Sequence, residues 1–415
     1  MFSEEIKLLI KKGLLRVIRD RNPHLRPGGE YQDIENFGQE NVIPYGSSHI
    51  FIEGSEFINF SSNDYLGISC NHEIMQSAKD AIDVYGFGSG ASRLLSGGTD
   101  LNIKLENMIS EFKGTESSLV FNSGYTANIS AIPSIAGEND VIFTDELNHA
   151  SIIDGCRLSR AKKVIYNHAD MNHLSELVKK EAGKRKIIIT DTVFSMDGDI
   201  APLKEIHAIS MQNEAILYLD DAHGTGVLGN GYGALHQFGI SPAPWIIQMG
   251  TFSKALGSFG AFIATSKEIV QWLTNKGRGL IFSTALPACA IAASIKALEI
   301  ILEDSILLKN LWENRKRLFN GMNELGFDTL KSETPIIPLV PPPHFSDDAI
   351  ENANLFSEFL KRNHIYAPAI RPPTVKIPRL RFSVIASHTT QDIDMLLNIL
   401  SDLRSNPDKF KNKGI

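Results

Sequence analysis

Lys254 lies in the run Gly250-Thr251-Phe252-Ser253-Lys254-Ala255-Leu256-Gly257, directly after the apolar stretch Trp245 to Met249. Upstream, a second apolar stretch ends in Asp220-Asp221-Ala222-His223. A lysine amine held among small residues can form an imine with an aldehyde. A carboxylate delivered by another strand end can keep a pyridine nitrogen protonated, which makes the ring an electron sink. Together the two are what pyridoxal 5'-phosphate chemistry requires, although either alone also fits an ordinary surface residue. Thr251 and Ser253 add hydroxyls suited to a phosphate or a polar cofactor edge, and Gly250, Gly257 and Gly260 allow backbone to approach a ligand.

Three more segments extend the pattern. Phe121-Asn122-Ser123-Gly124-Tyr125 follows a strand and opens a helix, where free N–H groups and the helix dipole favour a phosphate. His149, in Leu147-Asn148-His149-Ala150-Ser151, could stack on a cofactor ring. Ser195, in Val193-Phe194-Ser195-Met196-Asp197-Gly198-Asp199, falls at a strand end and could bond a phenolic oxygen, and His223 stands three residues after Asp220, able to reach another edge of the same ring. Gly224-Thr225-Gly226-Val227-Leu228-Gly229 matches the glycine pattern of nicotinamide-binding folds, which keeps a dehydrogenase as a rival. Its context fails, because Gly231 and Gly233 follow where a helix should begin and Ser241-Pro242-Ala243-Pro244 occupies the place of the expected acidic residue.

The elements that must position these residues are legible as alternating helical stretches and short apolar runs. Strands are expected at Ser118 to Phe121, Val141 to Thr144, Lys163 to Tyr166, Lys186 to Thr190, Ala215 to Leu219, Trp245 to Met249 and Phe259 to Thr265. Continuous apolar runs separated by crossover-length segments predict an α/β fold: a mostly parallel seven-stranded sheet with helices on both faces and ligands at its strand ends. An amphipathic helix within Met1 to Arg21 and an irregular Pro- and Gly-rich arm from Asn22 to Ile50 precede it, and a loosely alternating edge strand or hairpin at Phe51 to Phe60 follows. After Pro287, helices at Ala288 to Glu303, Leu307 to Leu325, Asp347 to Arg362 and Thr390 to Arg404, with strands near Ile365 and Leu380, predict a smaller C-terminal α+β domain. The expected division is 1–58 for helix and arm, 59–287 for the large domain and 288–415 for the small one.

The 415-residue chain, 43% hydrophobic and 21% charged, can bury a large core and has no disorder signature. A net charge of -7 argues against a general nucleic-acid binder, although Lys11, Lys12, Arg16, Arg19 and Arg21 form a local basic stretch. Cys70, Cys156 and Cys289 lie far apart, so neither a disulfide framework nor a metal site is expected. Without a secretory pattern or a membrane-length apolar run, a cytoplasmic protein is expected.

At these residues the chain resembles the α-oxoamine synthase family of fold-type I pyridoxal phosphate enzymes, from about Asn59 to Asp394. The resemblance is carried by Asn59-Phe60-Ser61-Ser62-Asn63-Asp64-Tyr65-Leu66-Gly67, Gly86-Phe87-Gly88-Ser89-Gly90-Ala91-Ser92-Arg93, Phe194 to Asp199, Asp220 to Gly226, Thr251-Phe252-Ser253-Lys254 and Ile370-Arg371-Pro372-Pro373-Thr374. It is similar above all to the branch that joins L-alanine to a pimeloyl thioester, on coenzyme A or an acyl carrier protein, in biotin synthesis. Glycine-using synthases of the same family remain the nearest alternative. The resemblance implies that Lys254 carries the cofactor and acts as base, Asp220 pairs with the ring nitrogen, His223 and Ser195 contact its phenolic oxygen, and His149 stacks on the ring. It further implies that Gly124, Tyr125 and Thr251 hold the phosphate, helped by Ser283 and Thr284 of a second subunit in a homodimer. Asn63 and Arg381 are the candidates for the amino-acid carboxylate. Arg371, Thr374 and an arginine near the first helix, Arg16 rather than Arg19, would meet the acyl substrate. Two departures stand out: the arm from Asn22 to Ile50 is long for the family, and Asn102 replaces a common histidine, which should affect helix packing more than chemistry.

Overall fold

The computed structural model describes residues 2–16, 18, 24–25, 42–43, 47–52, 54–343 and 345–405. The chain divides into two compact units, Asn71–Ser195 with Asp199–Leu308, and Met1–Cys70 with Met196–Gly198 and Lys309–Ile415.

In the first unit, seven runs rich in β-branched residues form one sheet: β1 Ser117–Phe121, β2 Val141–Asp145, β3 Lys162–Tyr166, β4 Lys186–Asp191, β5 Ile216–Asp220, β6 Ile246–Thr251 and β7 Ala261–Thr265. Their order is β1-β7-β6-β5-β4-β2-β3. Neighbours are parallel except at β7, which runs antiparallel to both β6 and β1. The Ile187-Ile188-Ile189 run of β4 is buried at every position, as a sheet covered on both faces demands. Alternate side chains divide between the faces. Phe121, Ile187, Ile189, Tyr218 and Met249 join one core with Ala127, Ala131 and Ile132 of helix Gly124–Ile135. All seven expected strands are present. The last begins at Ala261 rather than Phe259, because Gly260 turns the chain at φ +106°.

The second unit holds a three-stranded antiparallel sheet of Ile336–Leu339, Arg379–Ser383 and Ala369–Ile370, in that order. Phe382, Leu339, Phe356 of helix Ala349–Arg362 and Leu396 of helix Thr390–Ser405 share its core. A second sheet pairs the hairpin His49–Ile52 and Ser55–Asn59 with Ile365–Tyr366. His24–Leu25 and Val42–Ile43 pair antiparallel, and the rest of the expected arm from 22 to 46 lies outside the described residues.

Both expected domain boundaries differ from those of the compact units. Residues 59–70 belong with the C-terminal unit, because Ile58 and Asn59 pair with Ile365 and Tyr366. Helix Ala288–Glu303 belongs with the sheet unit, because it packs on helix His72–Tyr85 and Ala292 O accepts the Ser77 hydroxyl at 3.2 Å. The first helix lies inside the expected stretch, spanning Ser3–Lys11 with no buried residue, and the chain turns at Gly13 with φ +64°.

Candidate active site

The parallel strands of the first unit end at Phe121, Asp145, Tyr166, Asp191, Asp220 and Thr251, so one edge of the sheet carries the segments expected to meet a cofactor. Asp220 closes β5 and is 4% exposed. Its Oδ2 accepts a 2.8 Å bond from Asn128 Nδ2, and its Oδ1 accepts from Ala222 N at 3.1 Å. Asn128 is itself fixed, donating to Ser151 Oγ at 2.8 Å and accepting from Tyr218 Oη at 2.7 Å. Ser151 Oγ continues the chain to His149 Nδ1 at 2.7 Å. Ser151 N also donates to Nδ1, at 3.3 Å, which leaves Nε2 to carry the proton of a neutral ring. His149 thus caps helix Ala150–Leu158 while its backbone N–H donates to Asp191 Oδ2 at 2.6 Å.

Charge couples these groups. Burial pushes the Asp220 carboxyl upward, and Lys254, the Asn128 bond, Ala222 N–H and His149 pull it partly back. His149 is held below the ordinary imidazole range by burial, then by Lys254, against Asp220. Asp191 is raised well above the usual carboxylate range, first by burial and next by the charge of Asp220. Lys254, Asp220, His149 and Asp191 therefore lie within electrostatic reach of one another, on the ends of β4, β5 and β6 and the loops that follow or flank them.

At the opposite side of this edge, Ser123 caps helix Gly124–Ile135 by accepting from Thr126 N, while Ala127 N bonds Ser123 O. The N–H groups of Gly124 and Tyr125 precede those bonds and are the ones a helix start leaves for an anion. Tyr125 directs its hydroxyl to Asp154 Oδ2 at 2.5 Å and leaves much of its ring exposed. Asn122 Nδ2 donates to Ser283 Oγ at 2.9 Å and Thr284 O at 2.8 Å, so these two residues stand beside the same helix start within one chain. Thr251 Oγ1 donates to Gly260 O at 2.8 Å and lies 2.7 Å from Ser253 Oγ. Ser195 is half-buried in the turn closed by Phe194 N to Asp199 O at 3.1 Å, and His223 is buried after β5.

The second unit brings together the remaining candidates in two groups. Arg381, 6% exposed, donates to Asn63 Oδ1 at 3.0 Å, Tyr65 Oη at 3.2 Å and Ser383 Oγ at 2.7 Å. Arg371 donates to Gly13 O and Leu15 O, and Arg16 donates to Thr374 Oγ1 at 2.9 Å. Arg16 and Arg371 line a cavity of about 440 Å³ with Tyr366 and Ala369, and burial, then the charge of Arg16, lowers the Arg371 pKa. Arg19 and Arg21 lie outside the described residues.

Sequence reasoning missed Asn128, Ser151 and Asp191. The one available signal for Asn128 was a lone amide on the apolar face Ala127, Ala131, Ile132 and Ile135 of its helix. The glycine run Gly224 to Gly229 does not open a helix: a 3-10 turn at Gly229–Gly231 and a four-residue helix Ala234–Gln237 follow it, which removes the basis of the dehydrogenase reading. A cavity of about 940 Å³ lined by Trp245, Ile216 and Trp272 sits where β5 and β6 begin, the wrong end of the strands for this chemistry. Among the described residues no group of three or more His, Cys, Asp or Glu could hold a metal ion, and no helix is long and apolar enough to cross a membrane.

The donor set fits pyridoxal phosphate: free N–H groups at a helix start for an anion, a buried carboxylate for a ring cation, and an amine in reach of that carboxylate. These features define a fold-type I pyridoxal phosphate enzyme. A family model for aminotransferase class I and II matches residues 55–400. A Thermodesulfovibrio yellowstonii protein, whose name provisionally gives 8-amino-7-oxononanoate synthase, is 53% identical over 357 residues, 86% of this chain and 90% of that protein. A Geobacter sulfurreducens 8-amino-7-oxononanoate synthase is 43% identical over 387 residues, 92% and 96% of the two chains. A solved structure of SPT holding PLP superposes with a TM-score of 0.86 at 25% identity, covering 98% of each chain. The chain belongs to the class I and II aminotransferase family, in its α-oxoamine synthase branch, and is a pyridoxal phosphate-dependent acyltransferase.

Proposed function

We propose that this acyltransferase condenses L-alanine with a pimeloyl thioester of coenzyme A or an acyl carrier protein. Carbon dioxide and the free thiol leave, and 8-amino-7-oxononanoate is formed for biotin synthesis in the cytoplasm. The observation that carries the reading is the buried Asp220 carboxylate within electrostatic reach of Lys254 and His149, in a chain whose relatives bear that activity in their names.

When bound, pyridoxal phosphate would supply the electron sink for the pair left on alanine Cα after proton loss and again after decarboxylation. Lys254 Nζ would hold the cofactor aldehyde until the alanine amine displaces it, and the freed Nζ would then take the Cα proton. Asp220 keeps a proton on the ring nitrogen, His149 covers the ring face, and His223 and Ser195 bond the ring hydroxyl. Gly124 and Tyr125 N–H and Thr251 would hold the phosphate, joined by Ser283 and Thr284, which the same chain ties to Asn122 beside that helix start, in a protein that assembles as a homodimer. Arg381 and Asn63 bind the alanine carboxylate, since a planar guanidinium suits it. Arg371, Thr374 and Arg16 meet the acyl chain, where two guanidiniums on one cavity suit the distal carboxylate of a pimeloyl group.

The test is turnover of alanine with pimeloyl-CoA and with the pimeloyl carrier protein, the product identified by mass. Lys254→Ala should abolish both turnover and the visible absorbance of bound cofactor. Activity retained in that variant, or product formed from glycine and not from alanine, would overturn the reading.

A further inference from the structure

Lys113 ends helix Asp100–Lys113 with its side chain wholly buried. Its ammonium uses all three protons, donating to Asp221 Oδ2 at 2.9 Å, Thr225 Oγ1 at 2.8 Å and Tyr232 O at 2.8 Å. Asp221 is equally satisfied. Its Oδ1 accepts from Thr192 Oγ1 at 2.7 Å and Ala234 N at 3.2 Å, and its Oδ2 also accepts from Thr225 Oγ1 at 2.9 Å.

A buried ion pair is poor evidence for stability, because apolar residues of the same volume often do as well. What such a pair supplies is direction. Successive side chains of an extended strand point to opposite faces, so Asp220 turns toward Asn128 while Asp221 turns toward Lys113. The peptide between them is gripped on both sides: Asp220 O accepts from Thr192 N at 2.9 Å, and Asp221 N donates to Met249 O at 2.7 Å. The Asp221 carboxylate adds a third hold, through its side chain, on the strand end that aims Asp220 and begins the turn to His223.

The same pair accounts for the first glycine of the run that resembled a dinucleotide motif and for Gly233 beyond that run. A Cβ on Gly224 would lie 2.1 Å from Asp221 Oδ1. One on Gly233, at φ +105°, would lie 2.0 Å from Asp221 Oδ2 and 2.6 Å from Lys113 Nζ. The loop is a collar closed around a charge pair, with no room at these points for a side chain.

We infer that Lys113 and Asp221 are positioning residues for the cofactor site, setting from behind the sheet edge the orientation of Asp220 and His223. The inference rests on the assignment of those two residues to the cofactor ring. The experiment titrates pyridoxal phosphate into wild-type protein, Lys113→Met, Asp221→Asn, the double variant, Thr225→Val and Asp220→Asn. It reads the dissociation constant, the pH titration of the bound cofactor's visible absorbance, and thermal unfolding. Each single charge variant should weaken cofactor binding at least 10-fold and shift the absorbance titration. The double variant, in which a neutral amide in place of the Asp221 carboxylate still accepts from Thr192 and Ala234 and donates to Thr225, should recover most of the affinity. Thr225→Val, which removes one hydroxyl, should show a shift in the same direction of about 3-fold, and with the double variant it decides the matter if a single charge variant does not fold. Lowered melting with wild-type affinity and absorbance titration in the folded variants would overturn the inference. An unchanged absorbance in Asp220→Asn would instead overturn the site assignment on which it stands.

Discussion

Asn128→Leu is the sharpest perturbation of the proposed site, because it keeps the branched heavy-atom shape of a fully buried side chain and removes its polarity. Asn128 makes three bonds, to Asp220 Oδ2, Ser151 Oγ and Tyr218 Oη, all between 2.7 and 2.8 Å. A hydrogen bond to a charged group contributes about 1.5–3 kcal/mol. Its loss lets burial raise Asp220 further, since the Asn128 bond is one of the influences holding that carboxyl down. A carboxyl that more readily keeps its own proton is a weaker partner for a pyridinium. At about 1.4 kcal/mol per decade, cofactor affinity should fall roughly 10- to 150-fold. Separately, the orphaned Tyr218 hydroxyl costs about 1–3 kcal/mol of folding stability. The assay is a spectrophotometric cofactor titration beside thermal unfolding of the cofactor-free protein. A lower melting temperature with affinity within 3-fold of wild type would show that Asn128 only packs the core and does not tune Asp220.

Other outcomes follow from the same geometry. His168 sits between Asp145 at 3.0 Å and Asp199 at 2.8 Å, and these carboxylates outweigh burial to raise its pKa to about 10. That stabilisation is present below the unfolded value near 6.5 and is lost as pH rises toward 10; with solvent screening of the partly exposed ring, chemical denaturation from pH 7 to 10 should lose about 1–3 kcal/mol in wild type and less in His168→Gln. His388 behaves oppositely: buried against Phe60 at 4.3 Å and accepting from Ile385 N, it is pushed down to about 4 by burial. The unfolded chain binds a proton there first, so stability should fall by about 3 kcal/mol between pH 6.5 and 4, and a flat profile in wild type would refute the neutral assignment. Arg381→Lys cannot reproduce the planar fork that reaches Asn63, Tyr65 and Ser383, so steady-state kinetics should show KM for alanine raised about 10-fold with a smaller change in kcat.

What the sequence disclosed and what it hid divide along a physical line. The places of Asp220, Thr251, Lys254 and the Asn122 to Tyr125 helix start in the fold were legible because period and apolar runs put them at or just beyond strand ends, and strand ends are where a parallel sheet gathers ligands. The division into compact units was not, because the pairing of Ser55–Asn59 with Ile365–Tyr366 is a non-local choice that no local pattern encodes. Lys113 and Asn128 were hidden for a different reason. A lysine in the last turn of a helix reads as a surface cation beside the helix dipole, and an amide in an apolar helix reads as one polar residue that finds solvent. In this fold each meets a carboxylate of the adjacent pair at 220 and 221, one on each face of the sheet. Two consecutive aspartates at the end of a buried strand cannot both be solvated, so each requires its own buried donor. That requirement points to polar residues on the two helices flanking β1, one ending at Lys113 and one beginning at Gly124.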